Sequence, residues 1–251
     1  MWEHLLSFEL LPWQWGLLFV CAMIVGMAKT GVAGIYSLVV IMLAWIFGGK
    51  SSTGILLPIL LMADVFGVTF YRRTVQWHYI FRLLPWALVG IGLGTWLGES
   101  ISDALFKSIM GVVILFGIGV MLWMEIRGDK EVPNFPGLPM LVGLIGGFST
   151  MVGNAAGAVI AVYFLAMRLP KNDYIGTIAV FFLTVNLSKL PSHIWIWETI
   201  SWRTLSLDLA LLPGIAAGAF LGYWIVKKIS EKWYRRFVIG VTILSALFLI
   251  F

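Results

Sequence analysis

Charge is scarce in this chain. Charged residues make up 12% of its 251 positions and hydrophobic residues 61%, against about 25% charged in an ordinary soluble domain. Most of the chain therefore cannot face water, and it is an integral membrane protein by composition. Cysteine is reduced to Cys21, which excludes an internal disulfide, a cysteine-based metal cluster and a relay between paired thiols. The three histidines, His4, His78 and His193, form no recognisable cluster with it. A membrane-embedded enzyme would need a nucleophile, an acid–base pair or a metal set, so no catalytic residue, metal or cofactor is expected. The net charge of +5 does not point to nucleic acid, because the cations lie in short loops between apolar spans. No cationic segment precedes the first apolar stretch, where Glu3, His4 and Glu9 stand instead, so a cleaved signal peptide is not expected.

What the chain does have is long apolar runs, in two sets of four. They cover about 12–48, 53–71, 79–98 and 105–126, then 138–167, 174–189, 203–226 and 234–251. The thirteen tryptophans gather mainly near the ends of these runs (Trp13, Trp15, Trp45, Trp77, Trp123, Trp195, Trp197, Trp202, Trp233), where amphipathic rings settle at headgroup depth. The sets are copies of one another. Gly90, Leu93, Gly94, Trp96, Ile101, Ser102 and Asp103 match Gly218, Leu221, Gly222, Trp224, Ile229, Ser230 and Glu231, and the register persists beyond Lys107 and Arg236 after one residue of slippage. The chain divides into a first repeat, 1–127, a linker, 128–139, with Pro133, Pro136 and Pro139, and a second repeat, 140–251.

The last three runs of each set fit one crossing apiece, since a spanning helix needs about 20 residues. The first run is too long for one helix and short for two. It is interrupted by Met27-Ala28-Lys29-Thr30-Gly31-Val32-Ala33-Gly34 in one half and by Thr150-Met151-Val152-Gly153-Asn154-Ala155-Ala156-Gly157 in the other. Glycine releases the backbone from helical geometry, and Thr and Asn can satisfy the peptide groups that a turn leaves unpaired. Each first run is therefore expected to be a broken hairpin of two short helices, either re-entrant or fully spanning. On that choice one face collects Arg72, Arg73, Arg82, Arg127, Lys130, Arg168, Lys171, Lys227, Lys228, Lys232, Arg235 and Arg236, and the other keeps Lys50, Lys107, Lys189 and Arg203. A single crossing would spread the cations almost evenly, so the positive-inside rule selects the hairpin and makes the richer face cytoplasmic. Three further crossings per half then invert the second repeat and place both termini outside the cytoplasm. The expected fold is an all-α polytopic membrane protein of two inverted repeats, each a broken hairpin followed by three transmembrane helices, in the cytoplasmic membrane.

Non-helical backbone at membrane depth is tolerated where protein buries it or a cavity hydrates it. Two corresponding breaks therefore point to one shared site, as in transporters that work by alternating access. Helix N-termini opening after the breaks suit an anion. The candidate binding residues are Lys29, Thr30, Gly31 and Gly34 from the first break and Ser149, Thr150, Gly153, Asn154 and Gly157 from the second. Lys29 would be the one cation of an asymmetric site, because Val152 and Asn154 stand at the matching place. Against that stands a lysine that snorkels to the interface. Asp64, with Asn186 as its counterpart, is the candidate coupling pair. An acid at that depth is costly unless paired or protonated, so Asp64 can bind Lys29, carry a proton or hold a cation. A structural hydrogen bond to a neighbouring helix serves equally well. Asp208, Glu198, Arg203 and the histidines lie towards run ends and are read as interface residues.

The duplicated layout and glycine-containing breaks resemble the sulfite exporter TauE/SafE family of membrane permeases over essentially the whole chain. So do Lys50-Ser51-Ser52-Thr53-Gly54, Lys171-Asn172-Asp173-Tyr174-Ile175-Gly176-Thr177 and the Pro-x4-Gly-x3-Gly pattern from Pro85 and Pro213. The resemblance implies a secondary transporter, an exporter, of a small sulfur-containing anion such as sulfite, sulfoacetate or thiosulfate. The breaks carry less glycine than is usual in the family, which leaves organosulfonates, inorganic sulfur oxyanions and small carboxylates all open. An anion channel is the alternative within transport. The partners expected are the anion, the lipid bilayer and a coupling proton or cation, with a homodimer as an assembly to test and no nucleic acid.

Overall fold

The computed structural model describes residues 8, 10–32, 36–127, 135–230 and 233. Among them every regular element is a helix. The first half supplies α1 (Pro12–Lys29), α2 (Tyr36–Phe47), α3 (Gly49–Tyr71), α4 (Trp77–Ser100) and α5 (Asp103–Arg127). The second supplies α6 (Leu138–Gly153), α7 (Gly157–Ala166), α8 (Lys171–Pro191), α9 (Trp202–Ala210) and α10 (Leu212–Lys228). A 3-10 turn at Arg72–Thr74 prolongs α3, and a π turn at Ser192–Ile196 prolongs α8. Among the described residues four stretches are long and apolar enough to cross a membrane, namely Pro12–Lys29, Gly49–Thr74, Trp77–Ser100 and Lys171–Ile196, and α9 with α10, bent by 47°, makes a fifth. The expected span 234–251 and most of the linker lie outside the described residues.

Both first runs break as the residues require. After α1, Gly31 takes φ 121°, a conformation open to a residue without a Cβ. After α6, Asn154 takes φ 51°, and its N–H donates to the Thr150 carbonyl at 3.0 Å while Ala155 donates to Ser149 at 3.2 Å. This left-handed closure satisfies the last carbonyls of the helix. The first run then returns to the end at which it entered: the Trp13 and Trp45 rings lie 5.8 Å apart, and those of Phe8 and Phe47 6.1 Å.

Hydrogen bonds between loops define two ends of the bundle. At one, Thr74 donates to the Asn172 carbonyl at 2.7 Å and the Lys171 ammonium to those of Val226 and Ile229 at 3.1 and 2.8 Å. At the other, Asp103 accepts from the N–H groups of Gly49 and Lys50, and Trp197 donates to the Thr95 carbonyl. Helices α3 and α8 therefore run in opposite directions, as do α4 and the α9–α10 pair. Arg72, Arg73, Lys171, Lys227 and Lys228 share the first end, with Lys50 and Lys107 at the second. Lys189, which the sequence places with that second loop group, is fully buried instead.

Helix α6 packs along α4, and α1 along α10. The contacts are backbone to backbone: a Cβ at Gly147 would overlap the Ala87 carbonyl, and one at Gly90 the Leu144 carbonyl. On the other side Gly26 meets Ile215 and Gly218 meets Met23 in the same way. Small residues at such crossings suit a membrane, where close packing replaces the hydrophobic drive between helices. Each broken hairpin is thus held by the opposite half of the chain.

Candidate functional site

Asp64 lies within α3 at zero exposure. Its Oδ1 is 2.8 Å from the Lys29 ammonium, in the last turn of α1, and its Oδ2 accepts from the Asn186 amide of α8 at 2.6 Å. The two positions matched by the repeat, Asp64 and Asn186, therefore touch each other where α3 crosses α8. The Lys29 ammonium also sits 4.4 Å from the centre of the Phe182 ring, and its side chain keeps 13% of its surface exposed. Of the alternatives for Asp64, the structure contains both the ion pair with Lys29 and the hydrogen bond to a neighbouring helix.

A second buried cation stands at the second break. Lys189 is one turn beyond Asn186 on the same face of α8. It donates to the Thr150 carbonyl at 3.1 Å, to the Thr150 hydroxyl at 3.2 Å and to the Asn154 side-chain oxygen. A second lysine therefore stands beside the breaks, where the sequence reading placed one. Each break holds a lysine, supplied by the hairpin in the first half and by the helix after the hairpin in the second. Gly67, at the place in α3 that Lys189 takes in α8, has room for no side chain, since a Cβ there would stand 2.6 Å from the Lys29 carbonyl. Both ammonium groups sit at helix C-termini, where the helix dipole favours positive charge.

The other candidates divide. Thr150 and Asn154 engage Lys189, and the Asn154 amide also reaches the Thr53 carbonyl at 3.4 Å. The Thr30 hydroxyl is taken by the Gly26 carbonyl of its own helix at 3.0 Å, and the Thr30 carbonyl accepts from the Tyr71 hydroxyl at 3.4 Å. Ser149 is buried within α6. Gly31 faces Val226 and Ile175, Gly153 faces Met110, and Gly157 opens on free space. Gly34 lies outside the described residues. Tyr36, absent from the sequence reading, opens α2 after the first break, and its buried hydroxyl has no hydrogen-bond partner.

Two residues assigned to the interface are buried. His193 has zero exposure, with Nδ1 2.8 Å from the Thr199 hydroxyl and Nε2 without a partner. Asp208 also has zero exposure. Trp197 is not an interface anchor either, since it packs edge-on against Phe106 and His193 at 5.4 and 5.0 Å. Glu198, Arg203 and His78 are exposed as expected, and His4 lies outside the described residues.

Apolar helices of spanning length, two runs broken at depth and lysines buried beside the breaks define a multi-pass membrane protein built as a permease. Residues 13–249 match the family described as Sulfite exporter TauE/SafE, and the chain belongs to that family. The family is one of membrane transporters for sulfur-containing anions. No curated protein and no solved structure matches the chain.

Proposed function

We propose that this protein exports a small sulfur-containing anion across the cytoplasmic membrane by alternating access between two inverted repeats. The observation that carries the proposal is electrostatic. Lys29 stands at the first break and the fully buried Lys189 at the second, and among the described residues Asp64, paired with Lys29, is the acid in an ion pair there. Two ammonium groups beside one carboxylate would leave the centre with a positive charge, which an anion would neutralise. The three donors of Lys189 are engaged by the second break, so Lys29 is the cation that can turn to the substrate. Thr30, Gly31, Gly34, Ser149, Thr150, Gly153, Asn154 and Gly157 remain the candidate residues of the anion site, and Tyr36 would add a hydroxyl donor. Asp64, with Asn186 beside it, holds Lys29 when no anion is bound and yields it when one arrives. The opposed directions of α3 and α8 support the inverted arrangement. The cation-rich end would be cytoplasmic, and reporter fusions at both termini should then read as non-cytoplasmic; a cytoplasmic signal at either end sinks that orientation.

A thermal-shift panel of sulfite, thiosulfate, sulfoacetate, sulfate, taurine and acetate on the purified protein tests the substrate class. A ligand stabilises the form it binds by about 2.7 kcal/mol at a hundred times its dissociation constant. Sulfite, thiosulfate or sulfoacetate should raise the melting temperature while acetate and taurine leave it in place. A uniform response, or none, would remove the sulfur-anion reading. A channel would use the same binding groups, so accumulation against a gradient in proteoliposomes separates the two mechanisms.

A further inference from the structure

Asp208 has a carboxyl group at zero exposure, and neither of its oxygens has a hydrogen-bond partner among the described residues. It sits in the last turn of α9 beside Leu207 and Leu211, which pack in one apolar cluster with Leu18 and Cys21 of α1 and Ile55 and Ile59 of α3. Three residues on, the span bends by 47°. There the Leu211 N–H closes onto the Leu207 and Asp208 carbonyls at 3.2 Å each.

The charged groups on the surrounding helices are engaged elsewhere. On α9 itself the Arg203 guanidinium lies over the Phe8 ring at 4.3 Å. On α3, Lys50 donates to the Ile101 carbonyl, and Asp64 is held by Lys29 of α1 and Asn186. On α10, Lys227 and Lys228 lie over Tyr223 and Trp224. Among the described residues Asp208 therefore has neither a donor nor a counter-charge. An ionised carboxylate so placed is costly, and such a group takes up a proton instead. A metal cation such as sodium fits less well, because hard cations are held by a set of oxygens, and the carbonyls at the bend already accept from Leu211.

We propose that Asp208 is the proton-binding group of the transport cycle. Its carboxyl is protonated while α9 packs in the core, and it releases that proton to water when the bend between α9 and α10 opens. One O–H bond breaks, one proton leaves, and the carboxylate regains its proton before α9 packs again. Asp64 has a different task, since it is paired with Lys29 and Asn186 and trades Lys29 with the anion. This proposal rests on the transport reading above.

The test has two arms. In proteoliposomes with radiolabelled sulfite, a gradient of one pH unit should drive about ten-fold accumulation per coupled proton. Asp208→Asn should lose that accumulation while sulfite–sulfite counterflow, which needs no net proton movement, persists; Asp208→Glu should keep both. Full pH-driven accumulation by Asp208→Asn overturns the proposal, as does accumulation driven by a sodium gradient in place of the pH gradient. The second arm is independent of the substrate. Infrared spectra at neutral pH should show the C=O stretch of a protonated acid in the wild type and its loss in Asp208→Asn. Should that variant not fold, the change of this band in Asp208→Glu decides the same question. No change in the band overturns the proposal. A band that behaves as expected, with no sulfite counterflow in the wild type, counts against sulfite transport alone.

Discussion

Lys29→Ala should lower stability by about 3–5 kcal/mol, because removing one partner of a buried ion pair leaves the other charge uncompensated. The exposed charge problem is that of Asp64, which sits at zero exposure with Lys29 at 2.8 Å and Asn186 as its remaining donor. Adding Asp64→Asn to the same chain removes that charge, so the double variant should recover most of the lost stability. Anion affinity should not recover with it. A hydrogen bond to a charged group contributes about 1.5–3 kcal/mol, so both the single and the double variant should bind the anion about ten- to a hundred-fold more weakly. Asp64→Asn by itself should bind the anion at least as well as the wild type, since it releases Lys29, yet turn over more slowly. Melting curves and equilibrium binding across all four proteins measure the cycle. Wild-type affinity in the double variant would show that Lys29 serves only to neutralise Asp64.

The two breaks, the hairpins and the Asp64–Asn186 match were legible because glycine, asparagine and an isolated charge inside an apolar run each have a direct physical cost. Lys29 was legible for the same reason, standing far from either end of its run. Lys189 was not. Its apolar run ends there, with Pro191 two residues on, and a cation at a run end reads as a loop residue. The helix instead continues through Pro191, a residue usually found where helices stop, into the π turn Ser192–Ile196. That extra turn carries Lys189 and His193 into the core. The spacing Asn186, Lys189, His193 places all three on one helical face, and that was the signal available. Asp208 was lost in a similar way. The run 203–226 looks like one span, whereas α9 ends at Ala210 and the bend turns its last acidic residue inward.

Burial of Lys189 also sets the second large expectation. Its ammonium joins the Thr150 carbonyl, the Thr150 hydroxyl and the Asn154 side chain, so it fixes the second break while adding positive charge to the centre. Lys189→Met keeps the apolar stem and deletes the donors. Each buried acceptor left without a partner costs about 1–3 kcal/mol, so with the two side-chain oxygens orphaned the expected loss is about 2–6 kcal/mol. The break should loosen with it, read as faster hydrogen exchange at Asn154 and Ala155. Lys189→Gln separates the two roles, because an amide can still donate to Asn154 but has no charge. Its stability should lie between those of the wild type and Lys189→Met. Its anion affinity should stay about ten-fold below wild type, about 1.4 kcal/mol. If Lys189→Gln binds the anion as tightly as the wild type, Lys189 is a pin for the hairpin and the positive charge of the site belongs to Lys29.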